Sequence, residues 1–164
     1  TGFDACFFTL GVSAAGMSEE RYAAMTYDLT IAVANTLVRL NPGMTFIYVS
    51  GRSTDSTERG RMMWARVKGR TENALMRMPF KAAYMFRPGI IQPMHGIRSR
   101  TRIYRIGYVL IGWLVPLFRK TSPGSIVTTE EIGRAMLSVA RNGYPKKILE
   151  APDIDAASRG EVFA

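Results

Sequence analysis

The sequence predicts an α/β fold, a parallel β-sheet with flanking helices. Two observations carry this. Short apolar runs, of the kind that form strands buried within parallel sheets, alternate with longer segments whose apolar residues recur at helical spacing. Their order is strand, helix, strand, helix, strand, the pattern of βαβ units joined by crossovers.

Ala5-Cys6-Phe7-Phe8-Thr9-Leu10, closed by Gly11, predicts a first strand over 5–10, buried on both faces. Ser18 precedes Glu19 and Glu20. Tyr22, Met25, Leu29, Val33, Leu37 and Leu40 then repeat at helical spacing until Asn41-Pro42-Gly43, which predicts a helix over 18–40 with Ser18 as N-cap. Residues 44–50 read as a second buried strand, 51–60 as a polar loop, 61–78 as a helix and 80–87 as a third strand ended by Pro88-Gly89.

After Gly89 the rhythm breaks into a Pro-, Gly- and Arg-rich loop reaching about residue 100, followed by an apolar run over 104–118 with Pro116 near its end. That run is too short and too broken to span a bilayer comfortably. It reads as a helix buried against the domain or a partner, with an interfacial helix anchored by Arg98, Arg100, Arg102, Arg119 and Lys120 as the lesser alternative. Thr129-Glu130-Glu131 opens a further helix through Ala140, ended by Asn142-Gly143, and 147–150 reads as a last short strand. The expected organisation is one domain over 1–155 with a mobile tail over 156–164.

The chain has 164 residues, 47% of them apolar, enough for one core, and a net charge of +9. The basic excess lies in 59–70 and 98–105. Without zinc-type Cys/His spacing or a basic tail, it reads as solvated faces, and nucleic acid is not an expected partner. A membrane surface is a minor possibility. Cys6 is the single cysteine, which excludes an intramolecular disulfide and fits a reducing cytoplasm; in its apolar run it reads as a small buried hydrophobe. Thr1-Gly2-Phe3-Asp4 has no basic n-region of a signal peptide, and no metal site is expected because His95, the single histidine, has no partners at ligand spacing.

In an open parallel sheet, ligands bind beyond the carboxyl ends of the strands. That places Gly11, Val12 and Ser13, then Ser50-Gly51, and then Arg87, Pro88 and Gly89 around the expected cleft.

Three motifs stand in order along these elements: Tyr48-Val49-Ser50-Gly51 ending a strand, Val67-Lys68-Gly69 on the next helix, and Phe86-Arg87-Pro88-Gly89 after the following strand. Together they resemble the short-chain dehydrogenase/reductase superfamily, in particular its atypical, epimerase-like branch that includes the Tat-interacting tumour suppressors. The likeness runs from residue 4 to about residue 150. It implies a Rossmann-like sheet and an NAD or NADP cofactor touching Leu10, Gly11, Val12, Lys68, Arg87, Pro88, Gly89 and Ile90. It also implies a catalytic group made of Ser50, Lys68 and a Tyr four residues before that Lys.

The spacing has a physical meaning, because residues i and i+4 share a helix face and the ammonium lowers the phenol's pKa for proton transfer near neutrality. Here that position is Trp64, whose indole N–H donates but does not titrate usefully. Tyr48 and Tyr84 lie within strands, and Asp55 or Glu58 in the loop after Ser50 are the other stand-ins, none favoured by spacing. No G-x-G-x-x-G turn follows a strand, and the resemblance places that phosphate loop before the first strand seen here, so the expectation is a truncated Rossmann-like domain. Without its usual neighbour the first strand becomes an apolar edge, which predicts a homodimer. The expected function is an NAD(P)-binding reductase- or epimerase-like protein with impaired or absent catalysis; the alternative is a non-enzymatic homodimeric interaction module.

Overall fold

A computed structural model describes residues 1–94 and 126–161. His95, the basic stretch 98–105 and the apolar run 104–118 lie outside the described residues. Four parallel strands form the main sheet in the order β1 (Ala5–Phe8), β2 (Thr45–Val49), β3 (Ala82–Arg87), β6 (Ile148–Glu150). A second, two-stranded parallel pair joins β4 (Ile90–Gln92) to β5 (Ile126–Thr128). The fold is α/β and Rossmann-like, as the alternation of periods requires.

The period-two alternation of β2 and β3 builds two cores on opposite faces. Phe46, Tyr48, Ala83 and Met85 pack with Ala34 and Leu75 from the helices α2 (Leu29–Leu40) and α3 (Met63–Met76). Ile47, Tyr84, Phe86 and Leu149 pack instead with α4 (Thr129–Asn142) and α5 (Ala151–Ser158). Phe46 lies between Phe8 and Phe80, with ring centroids 6.0 and 5.0 Å away, so aromatic contacts tie β1 and the approach to β3 to β2.

Several expectations need correction. The first strand ends at Phe8 and is not buried on both faces: it is the sheet edge, with Phe7 39% and Leu10 59% exposed. The helix expected over 18–40 is α1 (Glu19–Ala23), a π-helical turn (Ala24–Asp28) and α2 in continuous succession, capped as expected by Ser18, whose hydroxyl accepts from the Arg21 N–H at 3.3 Å. Its buried stripe is Tyr22, Thr26, Thr30 and Ala34, whereas Met25, Leu29 and Leu40 are exposed. The wide π turn makes four-residue spacing the inward one, and small side chains let the helix lie close to the sheet.

β4 and β5 were not expected. Ile90 pairs with Ile126 and Gln92 with Thr128, so the ends of the two described stretches lie side by side. Glu150 and Asp153 form a reciprocal capping box with Pro152 in the first turn, and α5 then buries Ile154, Ala156 and Ala157 against α4, so ordered structure continues through Ser158. Among the described residues no helix is long and apolar enough to cross a membrane.

α4 carries the clearest local start and stop signals. The Thr128 hydroxyl accepts from the Glu131 N–H at 3.0 Å while the Thr128 N–H donates to the Glu131 carboxylate at 2.6 Å. Gly143 ends the helix at φ 75°, a backbone a side chain rarely adopts. Thr128→Ala is expected to cost about 1 kcal/mol in urea unfolding, because it removes one half of a reciprocal cap while leaving both cores untouched.

Candidate functional site

The carboxyl ends of β2, β3 and β6 meet at one buried ion pair. Glu72, from α3, is fully buried, and Arg87, the last residue of β3, is 9% exposed. The Arg87 Nε–H donates to Glu72 Oε1 at 3.1 Å and its Nη2 closes on Glu72 Oε2. The remaining donors go to Ser56 Oγ at 2.5 Å and Glu150 Oε1 at 3.4 Å. Burial lowers the Arg87 pKa, and Glu72 and Glu150 more than offset it, so the guanidinium stays charged.

Ser50 and Lys68 are brought together here. The Ser50 hydroxyl donates to Glu72 Oε1 at 2.5 Å, with Phe86 O at 3.2 Å as a second acceptor, and the Lys68 ammonium donates to the Ser50 carbonyl. Ser50 is 6% exposed, and its one hydroxyl proton is directed inward, to Glu72 and Phe86 O. Burial holds the Lys68 ammonium below the ordinary lysine range, partly offset by Glu72. Trp64 is half-buried one turn earlier on the same helix. Pro88 joins the group because its carbonyl accepts from the Arg52 N–H at 2.9 Å. Leu10 and Gly11 are exposed, Val12 and Gly89 half-buried and Ile90 exposed, so these residues rim the strand ends.

The loop over 51–60 is pinned down rather than free. Asn73 donates to Ser56 O at 2.9 Å and Glu58 Oε1 at 2.7 Å, and Asp55 N–H donates to Ala65 O at 3.1 Å. Asp55 accepts from the Thr57 hydroxyl at 2.6 Å and from the N–H groups of Gly60, Thr57 and Arg59 at 2.6, 3.0 and 3.0 Å. These bonds, the Thr57 hydroxyl foremost, hold its carboxyl below the usual range. Asp55 and Glu58 are thus engaged in holding the loop. Tyr48 is 1% exposed, and burial foremost, then Tyr22 and Glu72, push its phenol well above the ordinary value, away from acid–base work near neutrality. Tyr84, 4% exposed, accepts from the Tyr144 N–H at 3.1 Å. An open cavity of about 340 Å³ between α1 and α3 lies apart from this centre; of its charged groups Arg66 pairs with Glu19 and Arg70 stacks 4.0 Å from the Tyr27 ring.

Glu72 is the residue that motif reading misses, although a signal exists: it follows Trp64 and Lys68 at four-residue steps and so shares their helix face. Among the described residues no cluster of His, Cys, Asp and Glu is arranged to hold a metal ion. For a dinucleotide, the fit is with the nicotinamide half: Lys68 keeps two ammonium donors beyond the one on Ser50 O. The pyrophosphate half has no G-x-G-x-x-G turn in this chain. No protein-family model matches the chain, and no curated protein matches it.

Two outcomes follow from this packing. At Gly69 an added Cβ would lie 1.8 Å from the Asp55 carbonyl oxygen, so Gly69→Ala must push the loop off α3, and a loss of about 2–3 kcal/mol is expected in urea unfolding. A lysine depressed by folding weakens the fold while charged, and this penalty lifts as pH rises from its folded value toward its unfolded one, where the unfolded chain binds the extra proton. The stability advantage of Lys68→Met over the parent is therefore expected to shrink through the alkaline range; an advantage independent of pH would show that Lys68 carries no such penalty.

Proposed function

We propose that the chain is an NAD(P)-binding protein of the atypical reductase and epimerase type, similar to the short-chain dehydrogenase/reductase branch that includes the Tat-interacting tumour suppressors, with catalysis impaired or lost. The observation that carries this reading is the meeting of Ser50 and Lys68 at the end of β2, with Trp64 one turn before Lys68 on α3. NAD or NADP, when bound, supplies hydride transfer. Lys68 holds the ribose hydroxyls with its two open N–H donors, while Leu10, Gly11, Val12, Pro88, Gly89 and Ile90 wall the ring, and Arg87 keeps Ser50 and the loop in place through Glu72. The Trp64 indole donates a hydrogen bond without exchanging a proton near neutral pH, so the usual relay from phenol to substrate has no carrier. Binding without turnover suits redox sensing or a scaffold role, in a reducing cytoplasmic setting that accords with the lone cysteine.

Fluorescence titration of the full chain with NADH and NADPH is expected to show saturable binding of at least one, weakened about tenfold or more by Lys68→Ala, the size of one charge-assisted hydrogen bond. Absence of saturable binding of either nucleotide overturns the reading.

A cofactor-free interaction module is the second reading, and β1 favours it. The strand is a sheet edge without the Pro or Lys that commonly guards such edges, and Phe3, Phe7 and Leu10 around it are 65%, 39% and 59% exposed. A homodimer that pairs or covers two such edges would bury them under two-fold symmetry. Sedimentation at micromolar concentration is expected to show a dimer; a stable monomer removes this reading.

A further inference from the structure

The carboxyl end of the sheet holds three cations of different standing. Arg87 is enclosed by Glu72, Glu150 and Ser56, and Lys68 rests on the Ser50 carbonyl. Arg52 is exposed, and among the described residues none takes its guanidinium. Its backbone is nevertheless tightly held. The Arg52 N–H is bonded to Pro88 O at 2.9 Å, and Thr54 returns its hydroxyl at 2.7 Å and its N–H at 3.2 Å to Gly51 O. The residues on either side have positive φ, 146° at Gly51 and 66° at Ser53. A serine rarely adopts that conformation, and such backbone persists only where the surroundings over-determine it.

The neighbouring carboxylates are occupied elsewhere. Both Asp55 oxygens accept from the loop's own donors, Glu58 accepts from Asn73, Glu72 is buried on Arg87 and Ser50, and Glu150 pairs with Arg87. A guanidinium on a held turn, beside strand ends where open parallel sheets bind ligands, is therefore left with open donors among the described residues.

We infer that Arg52 receives an oxyanion, carboxylate or phosphate, on a small ligand bound at these strand ends, its planar fork closing on two oxygens. One residue, Gly51, separates Arg52 from Ser50, so their Cα atoms are roughly 7 Å apart at most, and Lys68 is anchored on Ser50 O. A ligand whose acid group stands a few bonds from a hydroxyl or carbonyl would reach both cations. The inference goes beyond the dinucleotide reading and does not need it, because the acid group belongs to the second ligand of the cleft.

The test uses the full-length, isotope-labelled chain without nucleotide, titrated with inorganic phosphate and with acetate at constant ionic strength, and followed by the Arg52 side-chain and Gly51 backbone N–H resonances. Saturable shifts with either probe are expected, phosphate alone marking a phosphorylated ligand and acetate alone a carboxylate. Arg52→Gln, checked for the parent's spectral dispersion, is expected to weaken binding about tenfold or more, the worth of one charge-assisted contact. Arg52→Lys should fall between the two, and Arg134→Gln, on α4, should change nothing. Shifts that fail to saturate with both probes, or that survive Arg52→Gln, overturn the assignment. Because no NADH or NADPH is present, failure here leaves the dinucleotide titration to stand or fall separately.

Discussion

The buried pair between Glu72 and Arg87 is the constraint on which the arrangement at the strand ends depends. Two ions removed from water carry a desolvation cost of several kcal/mol each, and attraction repays it only when the remaining donors and acceptors are satisfied. Here they are. Glu72 accepts from Arg87 through both oxygens and from the Ser50 hydroxyl, and Arg87 spends its other donors on Ser56 and Glu150. A single carboxylate thereby joins α3 to the ends of β2 and β3, and a single guanidinium extends the link to the loop after β2 and to the cap of α5. Gly69 lets the loop backbone lie directly on α3, which brings Ser56 within reach of Arg87.

This arrangement separates what the site can hold from what it can convert. Lys68 and the exposed Arg52 keep N–H donors that no described residue takes, whereas the Ser50 hydroxyl donates its hydrogen bond to Glu72. Trp64 stands where the resemblance would have a titrating phenol, and the other candidates are tied up in the fold: Tyr48 in the core, Asp55 and Glu58 in the loop. Among the described residues, the carboxylates and the phenol nearest Ser50 are thus held by the fold itself.

Much of the sheet was legible in the sequence. Short apolar runs at 44–50 and 80–87 and Gly/Pro punctuation located β2 and β3 to within two residues, because both strands are buried on two faces. The edge position of the first strand came from the resemblance, which removes its usual neighbour, because its apolar composition alone looks like a central strand's. The inward face of the helix after β1 was misjudged because a π turn changes the spacing, which no periodicity template at 3.6 residues anticipates. β4 and β5 are three residues each, too short to register as a pattern, and they pair across 33 intervening residues of sequence. In the site, Ser50, Lys68 and Arg87 were named from motifs, but Glu72 was not. A glutamate on a helix is ordinarily solvated, and its burial follows from Arg87 arriving on a different element.

The most direct measurement of this dependence is amide hydrogen exchange in the parent and in Glu72→Gln, which keeps an acceptor for Ser50 but removes the charge facing Arg87. If the pair organises the strand ends, exchange across 51–60 accelerates about tenfold or more while α4 keeps its protection, because the loop loses its anchor and the opposite core does not. Unchanged protection over 51–60 would contradict that dependence and assign the loop's order to its own hydrogen bonds alone.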